Sequence, residues 1–300
     1  MPAWVAFTLT AAVCQTWRTA LQQRLRAVLS VNAAGLVRYL YALPIDVALL
    51  GTYWAATGEA APRLGWAFLV WCALAGLCQV LGTSLLIMAF GYRGFAVGTA
   101  YAKTDGVQAA LAGWLLFGQR LPGVAWVGIG VALAGVMVLS LAGRGMRPGE
   151  LLWAAVQPGA LCGLAAGGGF ALSGLFVRAA VGTMVGTPRV FGALVVLLVV
   201  NLLQTGMQGG WMLWREPGGL VAAGREWRRA AWVGVLSGVG SAMWFSAFAL
   251  APVALVRTVG QADLGLVLLF GRFYLGERAR VWEYAGLGLI GVGVVAILAG

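Results

Sequence analysis

Long apolar runs separated by short clusters of charged, proline and glycine residues account for the whole chain. Cutting at this punctuation predicts ten helices, over 2–23, 30–56, 65–90, 94–117, 122–142, 152–179, 188–214, 229–250, 252–275 and 281–299. A helix needs roughly 20 apolar residues to cross a bilayer. The chain therefore reads as an all-α membrane protein with ten transmembrane helices. The first run follows no basic region and precedes no small-residue cleavage site, so 2–21 is expected to stay as a helix rather than be removed as a signal peptide.

The longest polar connector in the middle of the chain is Gly143 to Glu150, and it divides the helices five and five. Sliding the second half over the first at an offset of 158 residues brings Gly118-Gln119-Arg120 onto Gly276-Glu277-Arg278. Gly128, Gly130 and Gly135 land on Gly286, Gly288 and Gly293; Gly76, Gly82, Thr83, Ala89 and Phe90 land on Gly234, Gly240, Ser241, Ala247 and Phe248. Asp105 lands on Asp263, and two rare acids in one frame are not a glycine coincidence. The halves, 1–142 and 152–300 joined by a linker at 143–151, are expected to be copies of one five-helix unit. An odd number of spans makes successive copies enter the membrane from opposite sides, which is the inverted-topology repeat common among transporters.

These residues also carry a family resemblance. Asp105 followed thirteen residues later by Gly118-Gln119-Arg120 and a glycine-rich helix, repeated as Asp263 thirteen residues before Gly276-Glu277-Arg278, resembles the EamA-type module of the drug/metabolite transporter superfamily. That family has an acidic residue and a proline in the fourth helix of each half, ahead of a Gly-Glu-Arg turn; here Gly106 and Leu264 stand at the proline position. The resemblance implies two EamA-like repeats and a ten-helix carrier of small metabolites.

Composition narrows the reading. With 61% apolar and 10% charged residues, the chain is no ordinary soluble domain, whose apolar share is about half. Its net charge of +11 comes from basic residues scattered between apolar runs, where they anchor loops, and nucleic acid is not an expected partner. Cys14, Cys72, Cys78 and Cys162 lie inside apolar segments and suggest no disulfide framework. Histidine is absent, which removes His-ligated metals and His proton relays, and no catalytic, metal-ligand or nucleotide-binding motif is present. A secondary transporter without cofactor or metal is expected, not an enzyme or an ATP-driven pump.

Charges inside hydrocarbon cost about 2.5–3.5 kcal/mol each on insertion scales, so each requires a partner or a water-filled cavity. Lys103 and Asp105 fall in the fourth helix, Arg257 and Asp263 in the ninth. Asp105 and Asp263, as repeat mates, should lie symmetrically about a central axis, and are candidates for proton or cation coupling. The competing reading is an internal lock held by Lys103 and Arg257. Lys103 and Asp105 are two residues apart and point from different faces of a helix, so pairing across helices fits better. Arg38 and Asp46 share nearly one face of the second helix and should turn inward, with snorkelling to the interface the alternative for Arg38. Arg18 is expected to snorkel. Gln79, Tyr101, Gln157, Trp17, Trp244 and Gln261 are further candidates to line a substrate path, and most other tryptophans are expected in interfacial belts.

Connectors after odd-numbered helices, with Arg24, Arg26, Arg225, Arg228 and Arg229 among their residues, are richer in arginine than those after even-numbered ones, which hold Arg63, Arg120, Arg178 and Arg189. The charge bias puts the odd connectors in the cytoplasm and both termini outside; the resemblance implies cytoplasmic termini. The expectation is a monomeric, multi-pass protein of the bacterial inner membrane. It would export a small amphipathic metabolite, amino acid or drug-like compound by alternating access, with protons and membrane lipids as further partners. A flippase for lipid or lipid-linked carriers and a scaffold without transport are the alternatives.

Overall fold

The computed structural model describes residues 2–25, 27–89, 101–141, 156–266 and 281–299. The linker at 143–151, the second Gly-Glu-Arg turn and the outer parts of the expected fourth, sixth and ninth helices lie outside these residues. Among the described residues there is no strand. The helices are α1 (Ala3–Leu25), α2 (Val31–Leu40), α3 (Leu43–Thr57), α4 (Trp66–Ala89), α5 (Asp105–Phe117), α6 (Gly123–Leu141), α7 (Pro158–Gly182), α8 (Arg189–Arg215), α9 (Pro217–Arg225), α10 (Trp227–Leu250), α11 (Val253–Gly260) and α12 (Val281–Ala299). Five stretches are long and apolar enough to cross a membrane: α2 with α3, α4, α7, α8 and α10; shorter apolar stretches occur in α6 and α12. The protein is a multi-pass membrane protein. Trp66, Trp114, Trp214, Trp227, Trp232 and Trp282 are exposed, as belt tryptophans would be.

Local sequence explains the helix ends. Ser30 caps α2 by accepting the Ala33 amide at 3.1 Å. Gly58 and Gly118 end α3 and α5 in the left-handed conformation, at φ 64° and 62°. After α5 the amide of Gly118 donates to Trp114 O and that of Gln119 to Gly113 O, a Schellman closure. The last carbonyls of α10 accept from two arginines: Arg178 Nη1 reaches Phe248 O and Ala251 O at 2.8 and 2.7 Å, and Arg189 Nη1 reaches Ala249 O at 3.2 Å.

Three helices expected to be continuous are broken. The second is interrupted at Tyr41-Ala42, where Pro44 in the first turn of α3 has no amide to continue the ladder. The fourth is interrupted at Lys103-Thr104 and resumes at Asp105; the ninth is interrupted at Gln261-Ala262 and resumes at Asp263. An additional short helix, α9, occupies the connector before α10.

The chain forms two compact units, each built from both halves of the sequence: 1–80 with 173–251, and 81–172 with 252–300. In the first, α10 packs along α1, and α8 packs against α2, α3 and α10. In the second, α6 packs along α12 and α5 against α11. The α6–α12 contact is backbone to backbone. A Cβ on Gly128 would lie 2.8 Å from Gly293 O, and one on Gly135 would lie 2.6 Å from Gly286 O. Contacts move down α12 as they move up α6, so the two helices run antiparallel, and glycine at these positions lets them touch.

Candidate functional site

The breaks at 103–104 and 261–262 bring five of the expected residues together in the second unit. Lys103 Nζ donates to Asp263 Oδ2 at 2.5 Å, and Arg257 Nη1 lies 3.5 Å from Asp105 Oδ2. Each ion pair joins one half of the sequence to the other, and the two are crossed: the cation from the first half meets the acid from the second, and the reverse. All four side chains are largely buried. Two cations and two anions leave the cluster neutral, which offsets the cost of holding charge away from water.

The break that exposes Lys103 to its partner also frees backbone carbonyls, and inside a membrane each needs a donor. Gln261, at the second break, supplies one, its Nε2 donating to Lys103 O at 2.8 Å. The Thr104 hydroxyl donates to Tyr101 O at 2.6 Å and accepts from Gln108 Nε2 at 2.6 Å; Gln108 also donates to Leu164 O at 3.2 Å. Arg257 is held by Phe170, donating to its carbonyl at 2.9 Å with its guanidinium 5.8 Å from the ring centroid. Gly106 matters by its missing side chain, because a Cβ there would meet Thr258 Oγ1 at 2.8 Å. At the position where the resembled family has proline, this chain has the residue that lets α11 approach.

The remaining expected residues are placed elsewhere. Tyr101 is buried beside the break. In the first unit Asp46, 1% exposed, accepts from Asn201 Nδ2 at 2.6 Å, and Gln79 Oε1 accepts from Gln204 Nε2 at 3.2 Å. Trp244 is buried and stacks on Phe248 at 5.6 Å. Trp17 is 53% exposed on α1, and Gln157 is exposed just ahead of α7, where its carbonyl accepts from the first amides of the helix. Arg18 and Arg38 are both buried, so snorkelling is not what this structure shows for either.

Sequence reading overlooked Asn201, Gln204 and Gln208. They fall at i, i+3 and i+7 on α8, a single buried polar stripe facing Asp46, Gln79 and the Asn32 carbonyl. That spacing was the available signal. Thr104, Gln108 and Thr258, which support the ion pairs, were also overlooked.

No family model matches the chain. The spermidine export protein MdtI of Enterobacter sp. (strain 638) is 37% identical over 75 residues, covering 24% of this chain and 68% of that protein. The corresponding protein of Yersinia enterocolitica is 36% identical over the same length and coverage. The probable magnesium transporter NIPA9 of Arabidopsis thaliana is 34% identical over 62 residues, 21% of this chain; the match spans only 18% of NIPA9. A solved crystal structure superposes with a TM-score of 0.71 over 98% of both chains at 19% identity, a likeness of fold. By its relationship to the MdtI proteins, the chain belongs to the family of membrane transporters of small molecules that includes the spermidine export protein MdtI.

Proposed function

We propose that this protein is a secondary active transporter of the bacterial inner membrane, exporting a small amphipathic metabolite, amino acid or drug-like compound by alternating access between two inverted five-helix repeats, 1–142 and 152–300. The observation that carries the reading is the crossed pair of ion pairs, Lys103 with Asp263 and Arg257 with Asp105, at two helix breaks. Discontinuous helices with charged groups at the break are where transporters bind cargo and coupling ions. Each pair links one repeat to the other, so a ligand that competes for one partner loosens that link. An amine competes with Lys103 for Asp263, a carboxylate competes with Asp105 for Arg257, and an amino acid does both. A proton taken by either aspartate releases its cation in the same way.

The glycine contacts support the repeat. Gly128 and Gly286 are mates, as are Gly135 and Gly293, so one two-fold operation exchanges the contact of Gly128 with Gly293 and that of Gly135 with Gly286. The relatives' names add spermidine and magnesium to the cargo to be tested.

The deciding experiment is flux into proteoliposomes of amino acids, amines, spermidine and Mg²⁺, with and without a pH gradient. Asp105→Asn and Asp263→Asn are each expected to lose stability and to cut the flux of the responsive cargo at least tenfold per folded molecule, with flux normalised to the folded yield that each variant retains. Normal flux in the double variant, or no flux of any cargo in the wild type, overturns the proposal.

A further inference from the structure

The connector between α8 and α10 gathers charge and aromatic surface that transport at the ion pairs does not use. α8 and α10 have 27 and 24 residues, roughly 40 and 36 Å at 1.5 Å per residue, against a hydrocarbon core about 30 Å thick. The end of α8 and the start of α10 therefore reach headgroup level, and α9 joins them there. α9 is tied down on its inner side. Tyr41 Oη donates to Ala223 O at 3.2 Å, and Ala223 is buried in a core shared with α2, α8 and α10. Glu216, just ahead of α9, accepts from Asn32 Nδ2 at 2.9 Å.

The outer side is open. A cavity of about 370 Å³ lies where α9 gives way to α10, lined by Arg225, Glu226, Trp227, Arg228 and Arg229. Five consecutive residues line one hollow because the turn at Glu226 ends one helix and begins the next. Glu226 accepts from Arg229 Nη1 at 3.1 Å, so its charge is matched. Arg225 and Arg228 are exposed and, among the described residues, form no ion pair. Arg228 lies over the ring of Trp227, 5.5 Å from its centroid, a contact that steadies the guanidinium. Next to this basic rim the surface is apolar. Trp232, 65% exposed, follows Arg228 by four residues and shares its face of α10, one turn deeper in the membrane. Val221, 55% exposed, precedes Arg225 by four on α9. A solute in water makes no use of that apolar surface, whereas a phospholipid lays its acyl chains on it while its phosphate meets the arginines.

We propose that Arg225 and Arg228 bind the phosphate of an anionic phospholipid headgroup, whose acyl chains lie against Trp232. The planar forks of arginine match the paired oxygens of a phosphate. Two cations without acidic partners select a headgroup of net negative charge over a zwitterionic one, whose amine they repel. The site uses none of the residues of the ion-pair cluster, so its failure leaves the transport reading standing.

The test uses the full chain, stripped of lipid in uncharged detergent, with its thermal midpoint followed as phosphatidylglycerol, phosphatidylcholine or inorganic phosphate is added at equal ionic strength. A ligand that binds only the folded form raises the midpoint. Phosphatidylglycerol is expected to raise it well beyond the rise that phosphatidylcholine gives, and inorganic phosphate to leave it in place. Arg225→Gln with Arg228→Gln is expected to weaken the apparent affinity for phosphatidylglycerol about tenfold or more, and each single variant to weaken it part of the way. Arg63→Gln with Arg120→Gln removes the same charge from exposed positions in other connectors and is expected to respond as the wild type does. The proposal is overturned if phosphatidylglycerol raises the midpoint no further than phosphatidylcholine or inorganic phosphate does, or if the Arg225 and Arg228 variants respond as the wild type does. It is also overturned if the Arg63 and Arg120 pair loses as much of the response, as attraction to overall net charge would require.

Discussion

Lys103 holds Asp263 across 160 positions of sequence, and the contact exists because the helix bearing each residue is broken beside it. In a continuous helix Lys103 and Asp105 would point from different faces of one element and neither would be directed at a partner by its neighbour. The turn at 103–104 sends Lys103 to Asp263 and starts α5 at Asp105, which faces Arg257. Breaking one partner of such a buried pair is costly because the other charge is left behind, typically about 3–5 kcal/mol. Asp263→Leu is expected to lower stability by that order, and Lys103→Met with Asp263→Leu to recover most of it. Denaturant or thermal melts in detergent would measure both. Additive losses in the double variant would show that the two residues do not depend on each other.

The α6–α12 seam makes a sharper distinction between neighbouring glycines. Gly135 has the backbone of Gly286 and Ile290 within 2.7 Å of where a Cβ would be, whereas Gly130 has nothing within 4 Å. Gly135→Val forces the helices apart and is expected to cost about 3 kcal/mol or more, at the upper end of overpacking. Gly130→Ala removes glycine's entropic penalty from an exposed helical position and is expected to stabilise by about 0.5–1 kcal/mol. Equal behaviour of the two variants in thermal melts would contradict the packing described for this seam.

Gln261 carries a separate prediction, because its side chain is the donor for a carbonyl that the broken helix leaves open. Gln261→Leu retains the bulk and deletes the donor. An unsatisfied buried acceptor costs about 1–3 kcal/mol, and the break at Lys103 is expected to lose definition with it. Stability should fall by that amount, and flux should fall along with it if the break positions cargo. A variant with unchanged stability and flux would mean that the Lys103 carbonyl finds another donor.

The contrast between Asp105 and Gln261 shows what could be read from the chain and what could not. Charge inside an apolar run is conspicuous, so Asp105, Asp263, Lys103 and Arg257 stood out by rarity, and their spacing already favoured pairing across helices. The ends of α1, α6, α8 and α12 fall within about two residues of the hydropathy boundaries, because bilayer thickness and chain punctuation are local properties. Pro44 marks the first break and Lys103-Thr104-Asp105 interrupts the apolar run at the second, but neither, nor Gln261-Ala262 at the third, was long enough to divide the predicted helix. What stabilises the second of them is a glutamine 158 positions away, which no window on the sequence contains. Arg18 was misread for the same reason. Its distance from the helix end suggested access to the interface, whereas it is buried on a helix that packs along α10.

Asp46 and Asn201 provide the last test, at a buried carboxylate with no cationic partner among the described residues. Asn201 Nδ2 donates to Asp46 Oδ2 at 2.6 Å, and Oδ1 has no donor, with Gly238 so close that a Cβ there would lie 3.2 Å away. The carboxylate therefore relies on one amide. Asn201→Leu removes it and is expected to cost about 1–3 kcal/mol, the penalty for leaving a buried polar group unsatisfied, or more if the group stays charged. Asp46→Asn keeps an oxygen for Asn201 to donate to and removes the charge, so its cost should be near zero or negative. The order of the two effects is the measurement, read from melts of both variants under one set of conditions. A loss from Asp46→Asn as large as that from Asn201→Leu would mean that the carboxylate's charge itself holds the first unit together, through a partner other than Asn201.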